Sequence, residues 1–305
     1  MEKEKKMSKR PPHMEPMDVT SIKNKYLDIS YASLSEAQKL DIYLPEGQQG
    51  PFPVILYVHG GAFMMGDKRE GSLAAILEGL NHGYAIISTN YRLSQEALFP
   101  AATEDVKAAI RFIKANAQKY NLNPLKIAVW GGSAGGHLAA MMGTTSHLSI
   151  FDNPSLGHID QSSTIQAVVD WFGPIDFLSM DEQFSMLSIE PRLGKTNDVN
   201  SPESKYIGQL ITEAKELVEK SNPMTYIHES NPPFFIQHGT CDRNIPYLQS
   251  QQFAQKLSKV IGADNVYFEL LEGASHGDEM QGAKKSFTTH ENLEKIFNFL
   301  DSVLK

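Results

Sequence analysis

A serine set among glycines is the feature of this chain most typical of covalent chemistry. Residues 130–136 read Trp-Gly-Gly-Ser-Ala-Gly-Gly, which places Ser133 at the centre of a Gly-x-Ser-x-Gly motif. The motif follows a predicted buried strand at 126–130 and precedes a predicted helix at 134–142. A serine on such a strand-to-helix turn has a strained backbone conformation. The positions that flank it are packed so closely against the strand and the helix that only glycine fits. The sequence therefore predicts a nucleophilic Ser133 rather than an incidental serine in a glycine-rich connection.

A serine hydroxyl is a weak nucleophile until a base takes its proton and a carboxylate orients that base. In this type of fold the three residues follow in the chain order serine, acid, histidine. Asp242 follows a predicted strand at 234–237, and His276 follows a predicted strand at 266–271. Because the carboxyl ends of parallel strands meet at one edge of a sheet, we expect Ser133, Asp242 and His276 to converge there.

Other residues compete for the roles of base and acid. His238 lies on the strand side of Asp242, so we interpret it as support for the loop. Asp278 and Glu279 follow His276 and would break the usual order of acid and histidine. The chain order therefore favours His276 as the base and Asp242 as its partner.

Another predicted buried strand ends at a second glycine-rich string, His59-Gly60-Gly61-Ala62-Phe63. Acyl transfer passes through a tetrahedral oxyanion, and each preorganised N–H donor to it is worth about 3–4 kcal/mol. Glycine lets the backbone turn its N–H groups into a site with no side chain in the way. We expect an oxyanion hole formed by the N–H groups of Gly60, Gly61 and Ala134, with His59 anchoring the loop by hydrogen bonds.

Metal and cofactor sites receive little support from the sequence. His137 and His147 are spaced so that they do not share a helix face, and no His-Glu-x-x-His motif occurs. The glycine-rich residues 131–136 lack the Lys-Ser/Thr ending of a phosphate-binding loop. They also lack the glycine spacing of a dinucleotide-binding motif. We interpret the one cysteine, Cys241, beside Asp242, as a small buried side chain. We predict no cofactor and no metal.

Predicted strands alternate with amphipathic helices from about residue 39 onward. Most of the strands are continuously apolar, which is typical of a parallel sheet covered by helices on both faces. The segment at 40–44 alternates apolar and polar residues, which predicts a half-exposed strand in an antiparallel edge. The predicted strands are 40–44, 53–58, 84–88, 126–130, 165–169, 234–237 and 266–271, and the predicted helices are 102–117, 134–142, one opened by Pro246 and one at the C-terminus.

Residues 176–221 interrupt this alternation. They contain no convincing strand, and a helix opened by Ser201-Pro202 is predicted to carry one apolar face from Ile207 to Val218. A long insertion between core strands is more often a cap than a separate domain. We predict a disordered segment at 1–18, which is rich in cations and prolines, and one domain at 19–305 with a cap inserted at about 176–221.

The composition excludes several classes of function. The chain has 305 residues, with 28 Lys and Arg against 36 Asp and Glu, so its formal net charge is −8. An acidic chain has no field that attracts nucleic acid or an anionic membrane surface. No apolar run approaches a membrane span, and no apolar stretch of a signal peptide follows the N-terminal cations. These features favour a cytoplasmic protein, with secretion as the alternative if an export signal has been removed.

Together the motifs resemble those of α/β-hydrolase serine esterases. The resemblance is to the hormone-sensitive-lipase-like carboxylesterases, in the branch that includes bacterial feruloyl and acetyl xylan esterases. It covers about residues 38–305 and implies a mainly parallel sheet of about eight strands, with helices on both faces and an inserted cap. The motifs that carry it are Asp41–Pro45, His59–Gly61, Asn90–Leu93, Trp130–Leu138 and the loops of Asp242 and His276.

The resemblance also implies a serine carboxylic-ester hydrolase that acts through an acyl-enzyme. Ser133 would attack the ester carbonyl, and His276, oriented by Asp242, would serve as general base and then as general acid. The expected substrates are short-chain acyl esters, such as acetyl or feruloyl groups, on small molecules or plant polysaccharide. An amidase or formamidase with the same triad is the alternative enzyme, and a non-catalytic ligand-binding scaffold is the alternative from another class.

Overall fold

The computed structural model describes residues 16–277 and 286–305. Their eight strands form one sheet in the order β1-β2-β4-β3-β5-β6-β7-β8. Strands β3 to β8 run parallel to one another, and β2 runs antiparallel to both of its neighbours. The strands are β1 (Lys25–Ser30), β2 (Lys39–Tyr43), β3 (Phe52–Val58), β4 (Ala85–Thr89), β5 (Leu122–Gly132), β6 (Ala167–Trp171), β7 (Phe234–Gly239) and β8 (Val266–Leu271).

Helices cover both faces of this sheet. The described helices are α1 (Leu73–Leu77), α2 (Ala101–Ala115), α3 (Ala134–Thr145), α4 (Met180–Leu187), α5 (Pro202–Ile207), α6 (Lys215–Ser221), α7 (Leu248–Ile261) and α8 (His290–Leu304). Helices α2, α3 and α7 contribute to the apolar core on one face, and α1 and α8 contribute to the core on the other. This architecture confirms the predicted α/β-hydrolase fold.

The two cores explain why the central strands are continuously apolar. In β3, Val54, Leu56 and Val58 belong to one core, and the alternating residues Ile55 and Tyr57 belong to the other. Successive side chains of a strand point to opposite faces, so a strand covered on both faces needs apolar residues at every position.

The prediction of a half-exposed strand at 40–44 is wrong. The predicted antiparallel edge is confirmed, because β1 and β2 form the antiparallel end of the sheet. The half-exposure is not, because β2 lies between β1 and β4 and its residues from Leu40 to Tyr43 are buried. The polar residue of the pattern, Asp41, is buried in an ion pair, with Arg69 Nη2 2.9 Å from its Oδ1. The alternation therefore reflects a paired buried charge and not a solvent-facing side.

The single helix predicted to follow Ser201-Pro202 is also wrong, because the structure divides it into α5 and α6. Helix α5 ends at Ile207, where Gly208 adopts a left-handed φ of 86° that an α-helix cannot continue. The next helix begins only at Lys215. The helices predicted at 102–117 and 134–142 correspond to α2 and α3 with small shifts of their ends.

The inserted segment at 176–221 contains α4, α5 and α6 and no strand, and it lies between β6 and β7 in the chain. Its side chains Phe177 and Tyr206 are buried in the same core as α2 and α3. The role of this segment as a cap stays a prediction.

Most of the segment predicted to be disordered, residues 1–15, lies outside the described residues. Pro16 forms an antiparallel bridge with Glu70, and the N–H of Met17 donates to the carbonyl of Arg69 at 2.7 Å. No helix in the described ranges combines the length and apolarity needed to cross a bilayer.

Candidate active site

Ser133 lies on a sharp turn between the end of β5 and the start of α3. Its φ of 57° and ψ of −123° lie in a region that residues with a side chain rarely adopt. The turn is held by two backbone hydrogen bonds: the N–H of Ser133 donates to Trp171 O at 2.9 Å, and its carbonyl accepts from His137 N at 3.0 Å. This conformation turns the Ser133 side chain away from β5.

The two outer glycines of the motif lie where no Cβ fits. A Cβ on Gly131 would be 2.1 Å from Gly135 O, and a Cβ on Gly135 would be 2.0 Å from Val58 O. Both obstructing atoms belong to the backbone and cannot rotate away. Only glycine therefore fits at these two positions, because strand β3, the turn and helix α3 are in direct backbone contact.

His276 lies between the serine and the aspartate. Its Nε2 is 2.8 Å from Ser133 Oγ, and its Nδ1 is 2.7 Å from Asp242 Oδ2. Because an ionised carboxylate only accepts hydrogen bonds, Nδ1 carries a proton and Nε2 presents its lone pair to the serine hydroxyl. The structure thus brings together Ser133, His276 and Asp242, in an arrangement that can pass the hydroxyl proton to the imidazole.

Asp242 is fully buried and held as an anion. Its Oδ1 accepts the N–H groups of Asn244 at 2.7 Å and Ile245 at 3.0 Å. Burial alone would raise the pKa of Asp242, but interactions with His276 and His238 outweigh burial and hold the pKa well below its usual value. An anion at this position can stabilise a positive charge on His276.

His238, the rival base in the sequence, contacts the same oxygen of Asp242 as His276 does. It is fully buried, with Nδ1 2.7 Å from Ser250 Oγ and Nε2 3.0 Å from Ile245 O. A carbonyl only accepts, so Nε2 carries a proton, and this Nε2 is also 3.2 Å from Asp242 Oδ2. His238 therefore supports the Asp242 loop, as its position in the chain indicated.

The other rivals for the acid, Asp278 and Glu279, lie outside the described residues. Of the two candidate bases His238 and His276, only His276 contacts Ser133.

The glycine loop after β3 passes directly beside the serine. A Cβ on Gly60 would lie 2.9 Å from Gly132 O and 3.4 Å from Ser133 Cβ. Gly61 has a φ of 110°, and Ala62 and Phe63 continue at 56° and 59°. Three successive positive φ values turn the loop sharply, and Ala62 adopts this conformation although it is not a glycine.

The N–H groups predicted to form the oxyanion hole have no acceptor within the described part of the chain. This holds for Gly60, Gly61 and Ala134, the last of which begins helix α3. N–H groups left open beside a serine are suited to bind a ligand oxygen.

His59 holds the glycine loop in place. Its Nδ1 is 2.7 Å from Gly60 O, and its ring stacks on Tyr91 at 4.5 Å between centroids. The hydroxyl of Tyr91 donates to His59 O at 3.0 Å. Burial lowers the pKa of His59 to about 4, so the ring is neutral near pH 7 and acts as an anchor.

An aromatic contact that the sequence analysis missed joins the glycine loop to the inserted segment. Phe63 stacks on Tyr206 of α5, with centroids 4.0 Å apart and planes 13° apart. Phe63 also meets His137 of α3 edge to face at 5.3 Å. Tyr206 stands outside the apolar face predicted for this region, and its packing depends on distant partners such as Phe63 and Phe99.

The interpretation of Cys241 as a buried side chain is wrong, because the cysteine is exposed. Its N–H donates to Ala274 O at 2.8 Å, while the next side chain, that of Asp242, turns inward to His276. These residues form a turn, in which Asp242 N donates to Gly239 O at 3.3 Å, and the thiol of Cys241 lies in solvent. Across residues 16–277 and 286–305, no cluster of three or more His, Cys, Asp or Glu could hold a metal ion.

The chain is similar in sequence to known esterases. Residues 40–257 match the BD-FAE family model. The chain is 29% identical to the "Probable carboxylic ester hydrolase LipM" of Mycobacterium tuberculosis, over 88% of this chain and 60% of LipM. The chain thus spans about 60% of the length of LipM and of two further mycobacterial esterases that it matches, LipQ and LipC.

Two solved structures share most of this fold. A truncated carbohydrate esterase from gut microbiota superposes with a TM-score of 0.82 at 29% identity, covering 94% of this chain and 99% of that chain. A bifunctional GH43-CE protein of Bacteroides eggerthii superposes with a TM-score of 0.80 at 32% identity, covering 92% of this chain and 35% of that chain.

Proposed function

The chain belongs to the BD-FAE family, and from this premise we propose that it hydrolyses carboxylic esters through an acyl-enzyme, with Ser133, His276 and Asp242 as its catalytic triad. The observation that carries the proposal is the continuous hydrogen-bond chain from Ser133 Oγ through His276 to Asp242. The similar LipM protein, named as a carboxylic ester hydrolase, supports the same type of reaction.

In the first half of the reaction, His276 Nε2 takes the hydroxyl proton while Ser133 Oγ attacks the ester carbonyl carbon. The carbonyl π bond breaks and its electron pair becomes an oxyanion. That oxyanion accepts the open N–H groups of the glycine loop and Ala134. The buried Asp242 anion stabilises the imidazolium that forms meanwhile.

The electron pair of the oxyanion then re-forms the carbonyl, the ester C–O bond breaks, and His276 gives its proton to the leaving alkoxide. The acyl group is then attached to Ser133 Oγ. A water molecule attacks the acyl carbon while His276 again takes a proton, and return of that proton to Ser133 Oγ releases the acid. The reaction consumes one water and needs no group beyond the triad and the N–H donors.

The substrates that we propose are short-chain acyl esters of carbohydrates, carrying acetyl or feruloyl groups. Two structural neighbours are named as a carbohydrate esterase and as a GH43-CE protein, which supports a carbohydrate ester over a lipid ester. An amidase would use the same triad, so only a comparison of substrates separates the two activities.

Hydrolysis of p-nitrophenyl acetate by the wild type and by Ser133→Ala tests the proposal. We expect the variant to lose about 10⁴–10⁶-fold in kcat, because the nucleophile is gone while the oxyanion donors remain. Equal thermal unfolding of the two proteins serves as the control for folding. An unchanged rate in the variant would refute the role of Ser133.

A panel of methyl ferulate, acetylated xylan and N-formyl aromatic amides then ranks the substrates. We expect both esters to be hydrolysed faster than the amides. A higher kcat/KM for an N-formyl amide than for every ester would identify an amidase instead.

A further inference from the structure

A pocket of about 400 Å³ lies between the glycine loop and the inserted segment, and none of the triad residues lines it. We propose that this pocket, called here the polar pocket, binds a sugar residue in the alcohol part of the substrate, which presupposes the ester hydrolysis proposed above. Its volume falls within the range of small-molecule sites. It is lined by Met64, Ser94, Gln95, Val199, Ser204, Lys205, Gly208 and Gln209.

The polar pocket lies close to the reacting atoms along the glycine loop. Gly60 is beside Ser133, and the N–H of Met64 donates to Gly61 O at 3.0 Å. This hydrogen bond closes a turn, which keeps the Cα atoms of Gly61 and Met64 within about 7 Å of each other. An ester whose carbonyl oxygen binds at Gly60 and Gly61 therefore has the polar pocket as its neighbour.

Five of the eight lining residues have polar side chains, and Lys205 is the one charged residue among them. Serine hydroxyls and glutamine amides both donate and accept hydrogen bonds, as the hydroxyl groups of a sugar do. Met64 and Val199 add two apolar contacts, which suit the carbon face of a sugar ring. No aromatic residue lines the pocket, so a feruloyl ring has no surface there on which to stack.

Ser94 gives the wall an unsatisfied group. Its Oγ is buried and has no hydrogen-bond partner in the described part of the chain, although its N–H donates to Phe63 O at 2.8 Å. Buried hydroxyls are nearly always partnered, and one that is not favours a ligand oxygen that can bond to it. Next to it, Gln95 Nε2 donates to Met64 O at 2.9 Å, which holds the amide at the pocket and leaves its Oε1 to accept.

The two walls belong to different parts of the molecule. Ser94 and Gln95 follow β4, while Gln209 follows α5 of the inserted segment. Because the inserted segment supplies five of the eight lining residues, the pocket assigns it a role in recognising the alcohol.

The test compares two acetyl esters that differ only in their alcohol: acetylated xylo-oligosaccharides and p-nitrophenyl acetate. For Gln95→Ala combined with Gln209→Ala, we expect KM for the sugar ester to rise about tenfold, the effect of one or two lost hydrogen bonds. For p-nitrophenyl acetate, which has no sugar, we expect kcat/KM to change less than twofold. Gln255→Ala, an exposed glutamine on α7, is the matched control and changes neither.

An equal loss on both esters, or no loss on the sugar ester, would overturn the sugar site. Binding of the same xylo-oligosaccharide ester to Ser133→Ala, measured by calorimetry, gives a second readout that needs no turnover. We expect the Gln95→Ala and Gln209→Ala changes to weaken that binding about tenfold, and unchanged binding would refute the pocket. A wild type that binds the sugar ester but hydrolyses neither ester would refute the proposed function and leave the pocket standing.

Discussion

The loops at the carboxyl end of the sheet and the inserted segment at 176–221 meet at the same site but are built differently. In the loops, backbone contacts fix the functional residues, and a Cβ on Gly131 or Gly135 would collide with a carbonyl oxygen. In the inserted segment, short helices are joined by irregular chain, and Met186 and Val199 are 68% and 64% exposed. The serine turn thus has positions that allow one residue type, whereas the surface of the inserted segment has positions that allow many.

The largest effect that follows from this contrast concerns Gly131. Gly131→Ala puts a Cβ 2.1 Å from Gly135 O, so the turn that holds Ser133 must open. We expect a loss of more than about 100-fold in kcat/KM and about 3 kcal/mol in the free energy of unfolding, as for other overpacked sites. Urea unfolding and p-nitrophenyl acetate turnover measure the two quantities.

Gly132→Ala is the matched control for this prediction. A Cβ at Gly132 would have the Phe172 ring as its nearest neighbour, at 3.3 Å, and a ring can shift where a carbonyl cannot. Similar losses in Gly131→Ala and Gly132→Ala would show that the backbone contact is not what makes glycine necessary.

A smaller effect is expected where the two regions touch, at the stack of Phe63 on Tyr206. Tyr206→Leu removes the ring that packs against the glycine loop, and Tyr206→Phe keeps it and removes only the hydroxyl, 3.4 Å from Thr103 Oγ1. We expect Tyr206→Leu to lower kcat about tenfold and the free energy of unfolding by about 2 kcal/mol, because aromatic packing is lost. Tyr206→Phe should change kcat less than twofold. If the inserted segment only selects substrates, Tyr206→Leu will raise KM and leave kcat unchanged.

The smallest effect on turnover is expected at Asp170, which lies under the serine turn on β6. A Cβ on Gly136 of α3 would lie 2.4 Å from Asp170 Oδ1, and Asp170 Oδ2 has no partner among the described residues. Burial raises the pKa of Asp170 to about 6. Between about pH 4 and 6 the folded protein keeps a proton that the unfolded chain releases, so stability falls as pH rises through this window.

Asp170→Asn removes this titration. We expect the free energy of unfolding of the variant, relative to the wild type, to increase by up to about 3 kcal/mol between pH 4 and 7, with little change in kcat. Urea unfolding at each pH measures the difference. A difference that stays constant with pH would show that Asp170 is ionised throughout this range.

The sequence could predict the parts of the site that depend on a short stretch of chain. Ser133, Asp242 and His276 each follow a strand with a recognisable apolar run, and parallel strands bring such positions to one edge. The glycine loop has the same property, because a sharp turn after a strand requires glycine at particular positions.

The parts that could not be predicted depend on contacts between distant segments. The Tyr206 ring gains its role from Phe63, and Asp41 is buried because Arg69 pairs with it. Gly208 interrupts an apolar periodicity that otherwise reads as one helix. Single-sequence periodicity reports which residues are apolar, but not which distant partner covers them.

The central claim is that Ser133 is the nucleophile, and covalent labelling tests it most directly. A fluorophosphonate reacts with a serine that a neighbouring base has activated, and peptide mass spectrometry identifies the labelled residue. We predict one adduct, on Ser133, in the wild type, and none on this peptide in Ser133→Ala or His276→Ala. An adduct on another residue, or no adduct in a folded wild type, would contradict the account.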